Sequence, residues 1–225
     1  VLDDNDGASV DTVIIDNSLV HDCDGGPYFK DADLNGLIKV TNSTFANLTD
    51  RFIRAQSGDA AGYIDHCTVY NLSGKRIIMA KGNSKQWIVT NSIFSTFTGS
   101  SPDDCIRPGD NEADSLAFCI LHSDVGLHKD WEVVSDTSTA DPMFTDPANG
   151  DFTLMDGSPA LTMASDGGAI GDPRWVSGTT GIKNTQASTP VDFKLSQNYP
   201  NPFNPSTHIV FTLAEKNHAT LTVHN

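Results

Sequence analysis

The sequence lacks several features that would place it in a common functional class. It has no apolar run near the ~20 residues that span a bilayer, so we expect no membrane span. Basic residues are scarce, with 14 Lys and Arg against 29 Asp and Glu, and the net charge of −15 argues against nucleic acid as a partner. It also lacks a GxSxG motif, a Ser-His-Asp arrangement and a Gly-rich phosphate loop.

Cysteine is rare and does not follow metal-site spacing. Cys23, Cys67, Cys105 and Cys119 form no CxxC pair. Cys67 and Cys119 occupy positions where other copies of a repeat have Ser, which favours small buried side chains. If the chain is exported, a disulfide between two of these cysteines is the alternative interpretation. No signal peptide is visible at Val1 and the chain starts within a repeat pattern, so we expect a mature or trimmed fragment.

What the sequence contains instead is a short internal repeat with a nearly constant period. Its copies are centred on Asn17, Asn42, His66, Asn91 and Phe118, at nearly equal steps along the chain. Each copy has a β-rich run, a polar corner, a second apolar run and, after a turn, a third run. Such a period indicates stacked units. Three short β-runs per unit, without helical periodicity, predict coils of a right-handed parallel β-helix.

The recurring corner asparagines predict a structural ladder. Asn17, Asn42 and Asn91 fall in register. We expect their side chains to point inward and to hydrogen-bond the backbone of their own and neighbouring coils. The alternative is that Asn is simply favoured in turns. His66 interrupts the column and is interpreted as a structural residue.

The predicted fold class is all-β, with coils over residues 1–127 and a closing segment over 128–175. The closing segment contains the motifs DPMF (141–144), GDFTL (150–154), GSPA (157–160) and GAIGDPRW (168–175). Through these motifs it resembles the closing segment of secreted bacterial β-helix proteins of the pectate-lyase-like superfamily, in which that segment covers the last coil. The repeat with this ending is similar to uncharacterised β-helix proteins of Bacteroidota-type bacteria. The resemblance spans residues 10–175 and implies a fold more than an activity.

The C-terminal part has a different pattern. Residues 176–192 form a Gly/Ser/Thr linker. Within 193–225, two alternating runs, 208–213 and 219–224, predict an antiparallel pair. The preceding run LSQNYPNPFNPST resembles the opening of the C-terminal sorting domain of type IX secretion cargo, a small Ig-like β-sandwich. The resemblance implies export by the type IX machinery to the outer cell surface, with this Ig-like domain incomplete.

An isolated strand pair is not stable, so the C-terminal strands are expected to find a partner. An unpaired edge invites another chain, and self-assembly through residues 206–225 follows as a prediction.

Cations of the third run suggest a ligand-binding strip. Outward side chains on successive coils lie about 4.8 Å apart, so such a strip fits a linear acidic extracellular polysaccharide held by bidentate Arg contacts. In the β-helix lyases that the fold resembles, a Lys or Arg removes the proton α to a uronate carboxylate, which makes Arg54 and Arg76 the catalytic candidates. The alternative is that the cations neutralise neighbouring Asp residues. The aligned column is Lys30, Arg54, Met79 and Arg107, with Arg51 and Arg76 in a neighbouring column and Lys81 nearby.

Two groups of side chains with oxygen or nitrogen donors suggest metal-binding sites. Asp31, Asp33 and Asn35 match the first half of an EF-type loop, although its twelfth position is Asn42 and not Glu. Calcium is therefore the cofactor that the sequence leaves open. A transition-metal group would combine two histidines with two aspartates. These are His122, His128, Asp124 and Asp130.

Three functions remain open from the sequence. The first is a secreted surface protein that binds polysaccharide or belongs to the extracellular matrix. The second is a lyase acting on uronate polymers. The third is a structural subunit that forms a filament or layer. Whether the protein is an enzyme is left undecided.

Overall fold

The structure is a computed structural model, and it describes residues 12–29, 36–55, 60–80, 85–109, 113–176, 194–195 and 211–212. The side chains of 28, 29, 194, 195, 211 and 212 are outside this description. The chain divides into two compact units, one that contains residues 12–176 and one within residues 180–220.

The first unit is a stack of short strands with three 3-10 turns towards its C-terminal end and one between strands. The strands of the stack are β1 (Thr12–Asp16), β2 (Leu19–His21), β3 (Tyr28–Phe29), β4 (Leu37–Thr41), β5 (Thr44–Leu48), β6 (Ile53–Ala55), β7 (Ala61–Asp65), β8 (Thr68–Leu72), β9 (Ile78–Met79), β10 (Trp87–Thr90), β11 (Ile93–Phe97), β12 (Ile106–Arg107), β13 (Ser115–His122) and β14 (Val133–Ser138). The remaining elements are β15 (Phe144–Asp146), β16 (Asp151–Leu154), η1 (Pro102–Asp104), η2 (Pro147–Asn149), η3 (Pro159–Thr162) and η4 (Pro173–Trp175).

These strands stack on three faces, and every pairing within the stack is parallel. The first face is β1-β4-β7-β10-β13, the second is β2-β5-β8-β11-β13, and the third is β3-β6-β9-β12. β13 runs through the corner between the first two faces, where Phe118 has φ 53°, and β14 pairs along it. The first unit is thus a parallel β-solenoid of about four turns, which confirms the predicted fold class.

The repeat of the sequence becomes vertical columns of side chains in the core. One column, on the second face, runs Val20, Phe45, Val69, Phe94 and Leu121 in strict register. Its three central members are at most 1% exposed. A single coil cannot cover its own inner face, so stacking like on like removes apolar area from water at about 25 cal/mol per Å².

The corner between the first two faces explains the recurring asparagine. Asn17, Asn42, His66, Asn91 and Phe118 all have positive φ, between 46° and 53°. Asn adopts this left-handed conformation at low cost. The side chains bond differently from the prediction, because Asn42 Nδ2 donates to Asp16 Oδ1 (2.9 Å) and not to backbone. Asn91 Nδ2 likewise donates to the Oδ1 of Asp65, one coil earlier (2.8 Å).

The inward corner position belongs to the next residue in each coil. Ser43 Oγ accepts a bond from the backbone N–H of Ser18 (3.0 Å), and Ser92 Oγ accepts one from Cys67 (3.1 Å). Cys67 and Cys119 occupy this same buried column, as the sequence predicted, and both are free thiols. Burial raises the pKa of the Cys67 thiol, and it raises the pKa of Cys119 to about 12. Cys105, on the third side, is a further buried free thiol.

Residues 139–176, which we name the arm, pack against the outer side of the second face. Phe152 and Ile170 of the arm share a core with Ile93 and Ile120 of the solenoid. The family resemblance placed this run over the last coil. The structure instead runs it back along the stack, because the hydrophobic outer side of the second face would otherwise be exposed.

Polar anchors fix the far end of the arm near the start of the stack. Thr44 Oγ1 donates to the buried Asp172 Oδ2 (2.6 Å) and accepts from Trp175 Nε1 (2.7 Å). The N–H of Asp172 donates to Thr68 Oγ1 (3.0 Å). The arm therefore covers the outer side of the second face.

The second unit contains an antiparallel pair, β17 (Lys194–Leu195) with β18 (Phe211–Thr212). Phe211 and Thr212 belong to the predicted strand 208–213, and they pair with β17. The rest of both predicted strands lies outside the described residues.

Candidate ligand-binding face

The third face carries an outward row of side chains that includes two arginines. Ile53, Ile78 and Ile106 point into the core and are fully buried, so their successors in the strands point outward. Strand pairing sets Arg54 opposite Met79 and Met79 opposite Arg107. These three residues therefore form one line along the solenoid, in the alignment that the repeat predicted.

The register corrects the position of Lys30. Tyr28, and not Lys30, lies opposite Arg54. On this face the step from the first coil to the second is longer than an alignment of Lys30 with Arg54 requires. Lys30 and Lys81 themselves lie outside the described residues, so the structure leaves their role as a prediction.

The row continues at its other end to a histidine. Ile106 forms a parallel bridge with Leu127, and the N–H of His128 donates to Ile106 O (3.0 Å). His128 thus follows Arg107 in the row. The sequence analysis assigned His128 only to a metal group, because the step from Arg107 to His128 is shorter than the repeat. Among the described side chains the row is Arg54, Met79, Arg107 and His128, and backbone pairing sets residue Tyr28 opposite Arg54.

The cations of the neighbouring column are held by carboxylates. Arg51 Nη1 lies 2.7 Å from Asp50 Oδ1. Arg76 donates from Nε to Asp104 Oδ2 (3.0 Å) and also from Nη2 to the same oxygen. The two arginine side chains are only 13% and 12% exposed. This geometry follows the alternative in which cations neutralise nearby Asp, and it commits Arg76 to donation, which does not suit a proton acceptor.

Arg107 and His128 belong to a charged cluster at the C-terminal end of the row. His128 Nδ1 lies 3.0 Å from Asp130 Oδ2, and its Nε2 lies 3.7 Å from Asp104 Oδ1. Arg107 Nη2 lies 3.7 Å from Asp130 Oδ2. Burial, and then the nearby Arg107 charge, lower the pKa of His128. His128 is therefore neutral at pH 7, and the permanent positive charge of the row resides on its arginines.

Within this cluster one cationic donor is unused. Arg107 Nε is buried and has no hydrogen-bond partner among the parts of the chain that the structure describes. The pKa of Asp130 is lowered, mainly because Lys129 donates a hydrogen bond to its carboxylate. Burial raises this pKa, but its effect is smaller. The cluster thus stays ionised at neutral pH and presents a guanidinium beside an uncharged imidazole.

The metal groups are not assembled in the described ranges. His122 bonds Ser95 Oγ (3.0 Å) on the second face, while His128 lies on the third. No cluster of three or more His, Cys, Asp or Glu suited to a metal occurs among the residues from 12 to 176 that are described. Asp31, Asp33 and Asn35 lie outside them. In the same part of the chain, no helix has the length and apolarity needed to cross a membrane.

Comparison with known proteins assigns the family. A search of curated proteins gave no match. Residues 62–175, just over half of the chain, match the family model described as a domain of unknown function (DUF5123). The matched range includes most of β7 and continues through η4, and it contains Met79, Arg107, His128 and most of the arm, while Arg54 precedes it. The chain belongs to the DUF5123 family.

Proposed function

We propose that this chain is a secreted, surface-delivered β-solenoid protein that binds an anionic extracellular polysaccharide along its third face. The observation that carries the proposal is the outward row in which Arg54 and Arg107 share one line of the stack. On a chain of net charge −15, two arginines aligned on a face that shares no core with the arm are a local exception. A guanidinium binds a carboxylate or sulfate bidentately.

The shape of the face supports a linear ligand. Each coil contributes one outward residue to the row, so contacts recur about every 4.8 Å along the axis. A polymer chain that lies parallel to the axis meets the row in sequence. The Asp-bound arginines of the neighbouring column, Arg51 and Arg76, fix the flank of this face and do not serve as the main contacts.

Affinity measurements with charge-removing variants test the proposal. Arg54→Gln with Arg107→Gln should weaken binding to immobilised uronate polymers at low salt about three- to thirtyfold, since each partly exposed ion pair contributes about 0.3–1 kcal/mol. Lys39→Gln removes one positive charge from the first face, where Lys39 lies over the Tyr63 ring (5.6 Å), and serves as the control. Equal losses in the double variant and the control would remove the third face from the proposal.

Export and localisation form a separate part of the proposal. The run LSQNYPNPFNPST supports delivery to the outer surface by the type IX machinery, through its resemblance to sorting domains. Removing residues 193–225 should abolish surface delivery in a host that has this pathway. Unchanged delivery of the shortened chain would contradict the assignment.

A polysaccharide lyase is the second candidate, favoured by the imidazole beside Arg107. A cation that holds a uronate carboxylate next to a neutral base is the arrangement for removing the α proton. His128 Nδ1 accepts a bond from the Asp130 N–H (3.2 Å), so the ring would have to exchange this bond to act as a base through that nitrogen. Incubation with uronate polymers, with and without calcium, should then produce unsaturated ends that absorb in the ultraviolet, and their absence with every polymer would exclude the lyase.

Self-assembly is supported by the last strand of the stack. All of β14 except Ser138 is exposed, including Val133 (49%) and Val134 (44%). An exposed strand edge can accept a strand from another chain. Light scattering at rising concentration tests this role, and a strictly monomeric particle would exclude a filament.

A further inference from the structure

Exposed large hydrophobic side chains are concentrated at the two ends of the stack. Val133 and Val134 belong to β14, the last strand of the first face. Ile14 (56% exposed) lies on β1 and Leu19 (42%) on β2. Met155 of the arm is the other large hydrophobic residue exposed in the part of the chain that is described. The exposed apolar area thus lies mainly on strands that have a neighbouring coil on one side among the described strands.

Val134 marks an opening of the core at the C-terminal end of the stack. It lies opposite Leu116 of β13, which is fully buried, in a column that continues to Val89 of β10. Val134 is nevertheless exposed. Trp131 lies on the third side of this end, where it is buried and its Nε1 donates to Ile106 O (3.0 Å). The opening is therefore on the side of the first face.

The backbone of β14 is also open in this direction. The Val133 N–H donates to Asp114 O in the coil before it (3.1 Å). Because backbone groups alternate in direction along a strand, the N–H of Val134 points away from β13. β14 thus presents the donors and acceptors of a strand edge at this end.

The edge of β1 has the opposite orientation. The Ala61 N–H donates to Gly36 O in the coil before it (2.9 Å), and Tyr63 lies two residues further along the same strand. Strand pairing puts Ile14 in register with Tyr63. The N–H of Ile14 therefore points away from β4, towards the position of a preceding coil.

Both edges have the backbone conformation of an internal coil. Asn17 at the corner after β1 has φ 48°, and Asp136 at the same corner of β14 has φ 51°. Both strands run parallel to their neighbours in the stack. A second copy shifted along the solenoid axis therefore brings its β1 onto β14 with the strand direction and the corner of an internal step.

We propose that copies of this chain stack head to tail, with β1 of one copy paired in parallel with β14 of another. The inference deepens the self-assembly role proposed above and does not depend on polysaccharide binding. The column register sets Ile14 on Val133 and Ile15 on Val134, so the junction removes exposed apolar area from water. The contact joins two different surfaces and does not close on itself, so it builds a filament.

The corner provides a specific hydrogen bond for this junction. Within the stack, Ser43 Oγ donates to Thr41 O (2.6 Å) and accepts the N–H of Ser18 in the coil before it (3.0 Å). Ser18 Oγ donates to Asp16 O in the same way (3.0 Å). In the proposed junction, Ser18 Oγ accepts the N–H of Thr137 from the other copy, since Thr137 has the matching position in β14.

The net charge of the chain predicts how this assembly depends on salt. Each copy carries a charge of −15, so copies repel one another at low salt. Added salt screens this repulsion. Assembly should therefore increase with salt, whereas the binding of an anionic polymer to arginines should decrease. The two activities can thus be measured separately on the same chain.

Sedimentation velocity and electron microscopy of the full chain at low and high salt test the inference. We expect monomers at low salt and unbranched filaments at high salt. Because the first face has six strands, the axial repeat of a filament should be about 29 Å, at about 4.8 Å for each coil.

Variants at each edge test the junction itself. Val134→Pro and Ile14→Pro each remove an N–H that points out of the stack, and each should raise the concentration needed for assembly at least about tenfold. An equimolar mixture of the two should form pairs and stop there, because each variant keeps one intact edge. Val134→Thr keeps the N–H and the branched side chain, and this control should assemble like the wild-type chain. If Val134→Pro does not fold, Val134→Lys replaces it, because the next copy would bury an unpaired charge.

The outcomes separate this junction from the functions proposed above. A chain that is monomeric at every salt concentration overturns the inference and the assembly role, and polysaccharide binding by that monomer would stay in place. Filaments that persist in both proline variants keep the assembly role but overturn the pairing of β1 with β14. Assembly that stops at two copies and is lost only in Val134→Pro would show β14 paired with itself, which also overturns the inference.

Discussion

Gly62 provides a sharp test of how the coils stack. It lies in β7 directly opposite Trp87 of β10, whose side chain is fully buried. A Cβ on Gly62 would lie 2.1 Å from Trp87 Cε3 and 2.3 Å from Cδ2, far inside contact distance. The indole cannot move freely, because its Nε1 donates to Ala60 O (3.1 Å) and the Trp87 N–H donates to Asp114 Oδ1 (2.7 Å). Gly62→Ala must therefore displace a ring whose residue is held at two points.

The expected cost follows from these contacts. Overpacking of a close-packed core costs about 1–3 kcal/mol, and distortion of one indole hydrogen bond adds about 1 kcal/mol. Replacing Gly by Ala also lowers the conformational entropy of the unfolded chain. Since Gly62 has an ordinary strand conformation, this effect stabilises the folded state by about 0.4–1 kcal/mol. We expect Gly62→Ala to lower the free energy of unfolding by about 1–3 kcal/mol in total.

Urea unfolding followed by circular dichroism measures this loss, and a double-mutant cycle gives its cause. Trp87→Phe alone should destabilise the chain, because it removes part of a buried ring. In the Trp87→Phe background, however, Gly62→Ala should cost at least about 1 kcal/mol less, since the smaller ring leaves room for the Cβ. Additive losses, or a Gly62→Ala effect below about 0.5 kcal/mol, would show that Trp87 does not stack on Gly62.

Three further predictions concern the thiols, the arm and the corner histidine. Thiol reagents at pH 8 should modify Cys23 first and leave the three buried thiols unreacted until urea unfolds the chain. Mass spectrometry counts the modified thiols, and rapid labelling of all four would contradict their burial. Thr44→Val removes the hydroxyl that is hydrogen-bonded to Asp172, and it should lower the free energy of unfolding by about 1–3 kcal/mol. The variant should also expose the arm to proteolysis. An arm that stays resistant would show that this anchor is dispensable. The hydrogen bond to Asp65 raises the pKa of His66 above its usual 6.5, so the stability that this bond contributes is complete below pH 6.5 and is lost as the pH rises through the folded pKa. His66→Asn should flatten this dependence above pH 6.5, and an unchanged profile would exclude His66 as its source.

The solenoid could be predicted because its determinants repeat in the sequence. The column through Phe45, Val69 and Phe94 has the same polar corner before each member and nearly the same step along the chain. One coil therefore supplies the pattern for the next, and the regular period identifies it. The buried Cys67 and Cys119 were predictable for the same reason, since they replace Ser in a repeated position.

The ends of the third-face row could not be predicted from that period. The corners recur at nearly equal steps, but the third run follows turns of variable length. The step from Tyr28 to its neighbour Arg54 is longer than that from Arg107 to His128, so alignment by the corners selected Lys30 and missed His128. Only backbone pairing fixes these positions.

The path of the arm has no periodic signal at all. It depends on contacts between distant residues, such as Thr44 with Asp172, which are 128 positions apart. The apolar outer side of the second face, with Ile93 and Ile120, gave a local hint that something covers it. The sequence motifs of the arm indicate that a closing segment exists, but the surface it covers is decided by tertiary packing.

Arginine footprinting tests the central claim, a polysaccharide-binding third face, most directly. An arginine-specific dicarbonyl reagent would be applied to the folded chain with and without bound anionic polysaccharide, and modification at each arginine would be quantified by mass spectrometry. We predict that the polymer protects Arg54 and Arg107, while the exposed Arg174 of the arm reacts at the same rate in both samples. Unchanged modification of Arg54 and Arg107 by a polymer that binds the chain would contradict the account.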